Sequence, residues 1–163
     1  MIIINKSAFL EHKDLKFKCA LGKAGIGNKK EEGDNITPRG TFRIVKIYYR
    51  SDRIKKLSSK YKLIEIKKNM GWCNDPKSDF YNQEIKIPFK YRYEKLFRKN
   101  EIYDLILVLN YNMSPITKFK GSAIFIHVAK NNYRPTAGCI GLKKKDLIKL
   151  VSKMNIKEKI IIQ

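Results

Sequence analysis

Two near-continuous apolar segments constrain the fold of this chain more than any other feature: residues 104–112 (DLILVLNYN) and 121–129 (GSAIFIHVA). Runs of this kind, separated by stretches rich in Gly, Pro and Asn, are typical of strands that are buried on both faces of a sheet. Residues 15–21 (LKFKCAL) instead alternate apolar and basic side chains, as a half-buried strand does. The sequence therefore predicts a mainly β fold, a sandwich or barrel of many short strands.

Helical signals are few. Residues 143–154 (KKKDLIKLVSKM) place Asp146 in a first turn and gather the following apolar side chains on one face, which predicts a helix. Residues 93–103 (YEKLFRKNEIY) are compatible with a second, so one or two short helices are expected. A chain of 163 residues suits one hydrophobic core, and we predict a single domain over residues 1–163.

The chain is strongly basic, with 36 Lys and Arg against 15 Asp and Glu and a formal net charge of +21. Such a charge attracts polyanions, namely nucleic acid, anionic lipid or a carboxylate-rich wall polymer. The basic residues are spread along the whole chain and accompany no recognisable nucleic-acid-binding module, so no specific nucleic-acid partner is predicted. An abundance of Lys, Ile and Asn from AT-rich codons explains the charge equally well.

No apolar run approaches the roughly 20 residues that a membrane span requires. The first segment, MIIIN, is also too short for the apolar region of a signal peptide. The sequence therefore predicts no transmembrane segment and no signal peptide. A cytosolic chain, a mature form and an unrecognised export route all stay open.

His127 and Cys139 form the most informative pair of residues. His127 lies near the end of the second apolar run, where the period of two places it on the same face as Phe125. Cys139 follows the small-residue turn Thr136-Ala137-Gly138. A histidine within hydrogen-bond reach can take the proton of a thiol and create a thiolate–imidazolium pair.

Gly138 fits the same chemistry, because a residue without Cβ allows backbone N–H groups, including that of Cys139, to face a developing oxyanion. No acidic residue is evident as the orienting partner of the imidazole, and a backbone carbonyl would serve. A core histidine beside a packed thiol is the alternative, and the spacing alone leaves both open.

Metal and cofactor sites are not predicted. Cys73, Asp75, His127 and Cys139 are all zinc-ligand types, but no close pair among them has the spacing of a zinc site. The three cysteines contain no C-x-x-C pair and suggest no disulfide framework. His12, among charged neighbours near the start of the chain, is expected at the surface.

The segment around Cys139 resembles the catalytic stretch of the L,D-transpeptidase catalytic domain, also called the YkuD-type domain. That family carries a histidine, a loop, and then Ser/Thr-x-Gly-Cys followed by an apolar residue, which Thr136, Gly138, Cys139 and Ile140 match. Residues 32–42 (EGDNITPRGTF) and 71–83 (GWCNDPKSDFYNQ) are similar to two further segments of a branch of the family. The likeness keeps its order over residues ~20–163.

The resemblance implies a cysteine acyltransferase that acts on peptidoglycan stem peptides in the periplasm or cell envelope. Cys139 would attack the L,D bond between residues three and four of the stem, release D-Ala and leave a thioester. An amine acceptor then gives a transpeptidation product, whereas water gives L,D-carboxypeptidase or endopeptidase action. His127 would be the base, and Thr136 and Gly138 would shape the turn and the oxyanion site.

Two departures from the family pattern affect the substrate-docking residues. Many members have His where this chain has Ala137, and Arg or Asn where it has Gly141. Arg134 is a candidate to replace a lost carboxylate contact, against the alternative of a solvated loop arginine. Trp72 and Tyr81 are candidate walls of the substrate cleft, against the alternative of aromatic residues that pin a loop.

Two other functions stay open at this point. One is a non-catalytic β-domain that binds wall polymer or another polyanion. The other is a cytosolic cysteine hydrolase of unrelated substrate.

Overall fold

The structure is a computed structural model that describes residues 1–163. Its strands, numbered in chain order, are Ile2–Asn5 (β1), Phe9–His12 (β2), Leu15–Ala20 (β3), Ile26–Gly27 (β4), Thr37–Pro38 (β5), Gly40–Phe42 (β6), Ile44–Tyr49 (β7), Leu63–Glu65 (β8), Met70–Cys73 (β9), Glu84–Lys86 (β10), Tyr93–Lys95 (β11), Leu105–Leu109 (β12), Phe125–Val128 (β13), Ile140–Leu142 (β14) and Ile160–Ile162 (β15). One α-helix, α1, spans Lys144–Lys153, and Asn131–Tyr133 forms a 3-10 turn. The prediction of a mainly β fold with one or two short helices is confirmed.

A curled ten-stranded sheet forms the body of the protein, in the order β6-β15-β1-β2-β3-β14-β13-β12-β7-β8. A three-stranded sheet, β10-β9-β11, packs beside it, and β4 and β5 form a short parallel pair. The two apolar runs of the sequence hold β12 and β13, which pair with each other inside the large sheet, as the third and fourth strands from its β8 edge. Both strands are covered on both faces, which explains why both of their faces are apolar.

The faces of β12 and β13 belong to two separate hydrophobic cores. On one face, Leu107 and Ile126 belong to a cluster of 22 buried residues. The helix α1 contributes Leu147, Leu150 and Val151 to the same cluster. On the other face, Val108 and Phe125 join a cluster of 10 buried residues. This second cluster includes Trp72 of β9, and Cys139 packs against it. The alternation within β13 thus sends Phe125, and His127 with it, to the face that carries Cys139.

Two local expectations were wrong. Residues 93–103 form no helix, because β11 pairs with β9 and Leu96 is fully buried, so that tertiary packing overrides local helix propensity. His12 is not at the surface, since it is 1% exposed and its Nε2 lies 3.0 Å from a carboxylate oxygen of Glu158. This carboxylate partner is 146 residues away in the chain, which local charge patterning does not reveal.

Candidate active site

The strand register brings His127 and Cys139 to one cavity. β13 and β14 are parallel neighbours, with His127 beside Gly141 and Ile126 beside Ile140. Cys139, one residue before β14, therefore lies next to Phe125. A cavity of about 190 Å³ is lined by both side chains, together with Glu94, Arg98, Ile102, Tyr103, Lys130, Thr136 and Ala137. The tertiary structure thus assembles the pair in the same small space.

The Cys139 thiol is held by two backbone groups of the neighbouring strand. Its Sγ–H donates to the Ala123 carbonyl at 3.0 Å, and the Phe125 N–H donates to Sγ at 3.4 Å. Burial raises the pKa of this thiol to about 12, and the nearby Glu94 carboxylate adds to the rise. At neutral pH the resting group is a protonated thiol.

The His127 imidazole is 5% exposed and is oriented by main chain. Its Nδ1 lies 2.9 Å from the Val128 carbonyl, and because a carbonyl only accepts hydrogen bonds, Nδ1 carries the proton. Nε2 is then the basic nitrogen, and it has no partner within the chain. Burial lowers the pKa of His127 to about 4, helped by the positive charges of Arg98 and Lys130.

The resting site therefore differs from the thiolate–imidazolium pair that the sequence suggested. No hydrogen bond joins Cys139 and His127, and both side chains are neutral at pH 7 because burial disfavours either charge. The orienting group of the imidazole is the Val128 carbonyl, in keeping with the expectation of a backbone acceptor.

The turn before Cys139 is braced by Thr136. Its hydroxyl donates to the Cys139 carbonyl at 2.6 Å and accepts the Gly138 N–H at 3.1 Å. Gly138 has φ +136°, and a Cβ at this position would lie 2.8 Å from the Ile36 carbonyl oxygen. The Cys139 N–H donates no hydrogen bond within the chain. Of the backbone donors in this turn, the Gly138 N–H is therefore occupied, whereas the N–H groups of Ala137 and Cys139 make no hydrogen bond within the chain.

Five residues of the cavity were not identified from the sequence, namely Glu94, Arg98, Ile102, Tyr103 and Lys130, and three of them form one connected group. Tyr103 donates its hydroxyl to Glu94, stacks edge-on against His127 with ring centroids 5.5 Å apart, and supports Arg98 4.1 Å above its ring. Arg98 completes the group with an ion pair to Glu94 at 3.3 Å. All three come from the segment that was expected to be a helix, and no local pattern in it signals a site.

Trp72 and Tyr81 lie outside the cavity that holds Cys139. Trp72 is 2% exposed and donates its Nε1–H to Asn82 Oδ1 at 3.1 Å. Asn82 Oδ1 also accepts the Ala123 N–H at 3.0 Å, so the amide fixes the residue whose carbonyl accepts the hydrogen bond of the Cys139 thiol. Tyr81 is 1% exposed and donates its hydroxyl to Glu32.

Arg134 is exposed and lines a separate, adjoining cavity of about 430 Å³. Its substrate-binding role, like those of Trp72 and Tyr81, stays a prediction.

Residues 32–38 (EGDNITP) lie against the turn that precedes Cys139. Asp34 accepts the backbone N–H of Lys30 and Ile36 and forms an ion pair at 2.5 Å with Lys29, whose side chain is buried. These contacts lower the pKa of Asp34 against the opposing effect of desolvation, which is the largest single influence. The Ile36 carbonyl in turn lies against Gly138, so the hydrogen bonds of Asp34 help to hold the turn before Cys139.

All three cysteines are free thiols, and no three His, Cys, Asp or Glu side chains lie together in a way that could hold a metal ion. No helix of the structure is both long enough and apolar enough to cross a membrane.

Comparison with known proteins extends these observations. The family profile described as the L,D-transpeptidase catalytic domain (YkuD) matches residues 1–162. Among solved structures, the chain is similar to the structure of Bdellovibrio bacteriovorus Bd1075, with a TM-score of 0.51 and 14% identity over 100% of this chain. The match covers 47% of that chain, so this chain spans about half its length, and at this identity the likeness concerns the fold alone. No curated protein matches the sequence.

The fold and the cavity define a β-domain with a cysteine and a histidine at one site. The chain belongs to the L,D-transpeptidase catalytic domain (YkuD) family, whose match covers essentially its whole length. Members of this family are in general L,D-transpeptidase enzymes of peptidoglycan and are typically associated with the cell envelope.

Proposed function

We propose that this protein is a cysteine acyltransferase that cleaves the L,D bond of peptidoglycan stem peptides through a Cys139 thioester. The observation that carries the proposal is the shared cavity of Cys139 and His127, with Nδ1 held by Val128 and Nε2 left as the base. A neutral imidazole with a fixed tautomer is the form that can accept a thiol proton.

The reaction starts when the thiol turns from the Ala123 carbonyl toward Nε2 of His127. Nε2 takes the S–H proton as sulfur forms a bond to the scissile carbonyl carbon, and the carbonyl oxygen becomes an oxyanion. The unpartnered Cys139 N–H is the backbone donor for this oxygen. The imidazolium then returns its proton to the leaving amine, and the C–N bond breaks to give the thioester.

The second half of the reaction reverses these proton transfers. An acceptor amine, or water, loses a proton to His127 as it attacks the thioester carbonyl, and the thiol leaves. An amine acceptor gives a crosslink and water gives hydrolysis, so L,D-carboxypeptidase activity is the alternative outcome at the same site. Thr136 and Gly138 hold the turn that presents the nucleophile.

The test is incubation with tetrapeptide-rich muropeptides, followed by product analysis and intact-protein mass measurement after exposure to a carbapenem. We expect an adduct on the wild-type protein and on the control Cys19→Ala, which removes another buried thiol, and none on Cys139→Ala. An adduct that persists on Cys139→Ala would refute the proposal. Salt-sensitive binding to sacculi without any product would instead indicate a non-catalytic polyanion-binding domain.

A further inference from the structure

The residues just before β13 hold the Cys139 thiol from a backbone conformation that needs support. Gly121 has φ +98° and Ala123 has φ +53°, and the Ala123 carbonyl accepts the hydrogen bond of the thiol. A residue with a Cβ rarely adopts a positive φ, and it keeps this conformation only where surrounding contacts fix it. The position of the thiol therefore depends on the side chains that hold residues 121–123.

One carboxylate oxygen, Oε2 of Glu32, holds the start of this segment. It accepts the Ser122 hydroxyl at 2.8 Å and also accepts the Tyr81 hydroxyl. The Tyr81 oxygen in turn accepts the Gly121 N–H at 3.0 Å. Ser122 and Tyr81 are both buried, and a buried hydroxyl without a partner is costly. Two consecutive residues of the segment thus depend on the Glu32 carboxylate.

Glu32 belongs to the same stretch of chain that lies against the turn before Cys139. Asp34 accepts the Ile36 N–H at 3.0 Å, and the Ile36 carbonyl lies against Gly138. This stretch therefore contacts both the turn that carries the thiol and the segment that accepts its hydrogen bond. The place of the sulfur is set by how these two parts lie relative to each other.

Glu32 itself does not line the cavity that holds Cys139 and His127. It lines a separate surface cavity of about 400 Å³, and the two cavities share no residue. The carboxylate therefore has no contact with a ligand bound at the thiol. Any influence of Glu32 on the reactive sulfur passes through residues 121–123.

We infer that Glu32 is a positioning residue, which holds the segment before Ala123 so that the resting thiol lies where it can turn to His127. The inference rests on the proposed function for its effect on acylation, whereas the resting position of the thiol can be tested without turnover. A hydrogen bond from the neutral thiol favours its protonated form. Loss of this bond should raise the thiolate fraction of Cys139 about 2- to 12-fold.

The experiment measures two rates at Cys139, alkylation by iodoacetamide at pH 8 and acylation by a carbapenem at saturating concentration. Glu32→Ala is the test variant. Glu32→Gln is the conservative variant, because both hydroxyls bind one oxygen and a glutamine amide also provides an oxygen that accepts two hydrogen bonds. Glu31→Ala is the matched control, since Glu31 is exposed and its side chain makes no hydrogen bond or ion pair within the chain. Ser122→Ala removes a single hydrogen bond and keeps the test valid if Glu32→Ala does not fold.

We expect opposite changes in the two rates of Glu32→Ala. Alkylation of Cys139 should become about 2- to 4-fold faster, less than the gain in thiolate because a less basic thiolate is less nucleophilic. Acylation should become about tenfold slower, with the half-saturating carbapenem concentration unchanged, because the sulfur is misplaced while the cavity is intact. Ser122→Ala should show the same changes to a smaller extent, and Glu32→Gln and Glu31→Ala should behave as wild type.

The other two thiols separate positioning from general loosening of the fold. Cys19 and Cys73 are buried, and peptide mapping reports their alkylation in the same sample. Equal acceleration at all three cysteines, rates in Glu32→Gln that stay as low or as high as in Glu32→Ala, or unchanged rates at Cys139 in both Glu32→Ala and Ser122→Ala would overturn the inference. A wild-type protein that is never acylated, but whose Cys139 alkylation depends on Glu32, would overturn the proposed function and leave the placement of the thiol by Glu32 intact.

Discussion

Alkylation of Cys139 as a function of pH tests the neutral resting pair directly. Because its pKa is about 12, we expect the alkylation rate to rise about tenfold per pH unit between pH 6 and 9 without a plateau. An ion pair with His127 would instead keep the thiolate populated down to low pH and produce a flat profile.

The expected rate at pH 7 follows from the same pKa. A free cysteine with pKa near 8.5 is about 3% thiolate at this pH, whereas a thiol of pKa about 12 is thiolate in roughly one molecule per 10⁵. The deficit of about 3,000-fold is partly offset by the greater nucleophilicity of a more basic thiolate, by roughly 30-fold. Cys139 should therefore react with iodoacetamide about a hundred times more slowly than free cysteine.

The assay is quenched iodoacetamide labelling, with peptide mapping to separate Cys139 from Cys19 and Cys73. His127→Ala provides the control, because a neutral imidazole donates no stabilisation to the thiolate and its removal should leave the slope of the profile unchanged. A plateau at or below pH 7 that disappears in His127→Ala would refute the neutral pair and restore the ion pair.

The pKa of His127 in the folded protein, about 4, lies below the value near 6.5 in the unfolded chain, so the unfolded chain binds one more proton between these pH values. The free energy of unfolding should therefore fall by about 3 kcal/mol as the pH falls from 6.5 to 4. Urea unfolding at pH 6.5 and pH 4 should show a smaller loss of stability for His127→Asn than for the wild type. Gly138→Ala places a methyl group against the Ile36 carbonyl at a residue with positive φ, so it should destabilise the fold by about 3 kcal/mol and abolish acylation of Cys139. An unchanged acylation rate would contradict the role given to this turn. Asn82→Leu leaves the buried N–H of Ala123 unpaired, and thermal unfolding should show a loss of about 3 kcal/mol, with slower acylation of the protein that remains folded; full activity at normal stability would contradict a positioning role.

The sequence predicted the cysteine and the histidine of the candidate site, but not the residues around them. His127 and Cys139 were evident because a histidine on one face of an apolar strand and a thiol after a small-residue turn are local patterns. The contacts of Glu94, Arg98 and Tyr103 were not evident, because they depend on how β11 pairs with β9 and on how the following residues fold back over β13. The segment that holds them has helix-compatible composition, and no local rule indicates that it is a strand followed by turns.

The same limit applies to the protonation states. The residue types at Cys139 and His127 indicated a thiol and a base. Desolvation decides whether these two side chains are charged, and it depends on neighbours that are far apart in the chain. Asn82 illustrates this point, since its side-chain oxygen accepts hydrogen bonds from both Trp72 and Ala123, and the Ala123 carbonyl accepts the hydrogen bond of the Cys139 thiol.

The amino-acid sequence by itself determined the β-rich character of the chain, the faces of its two central strands, and the residues that link it to its family. These properties depend on alternation and spacing along a short stretch of backbone, which are visible without any tertiary contact. The tertiary structure alone decided that the thiol donates to Ala123, that both reactive side chains are neutral, and that Glu32 holds the residues just before Ala123. Those outcomes depend on strand register and burial, which arise only when distant segments pack together.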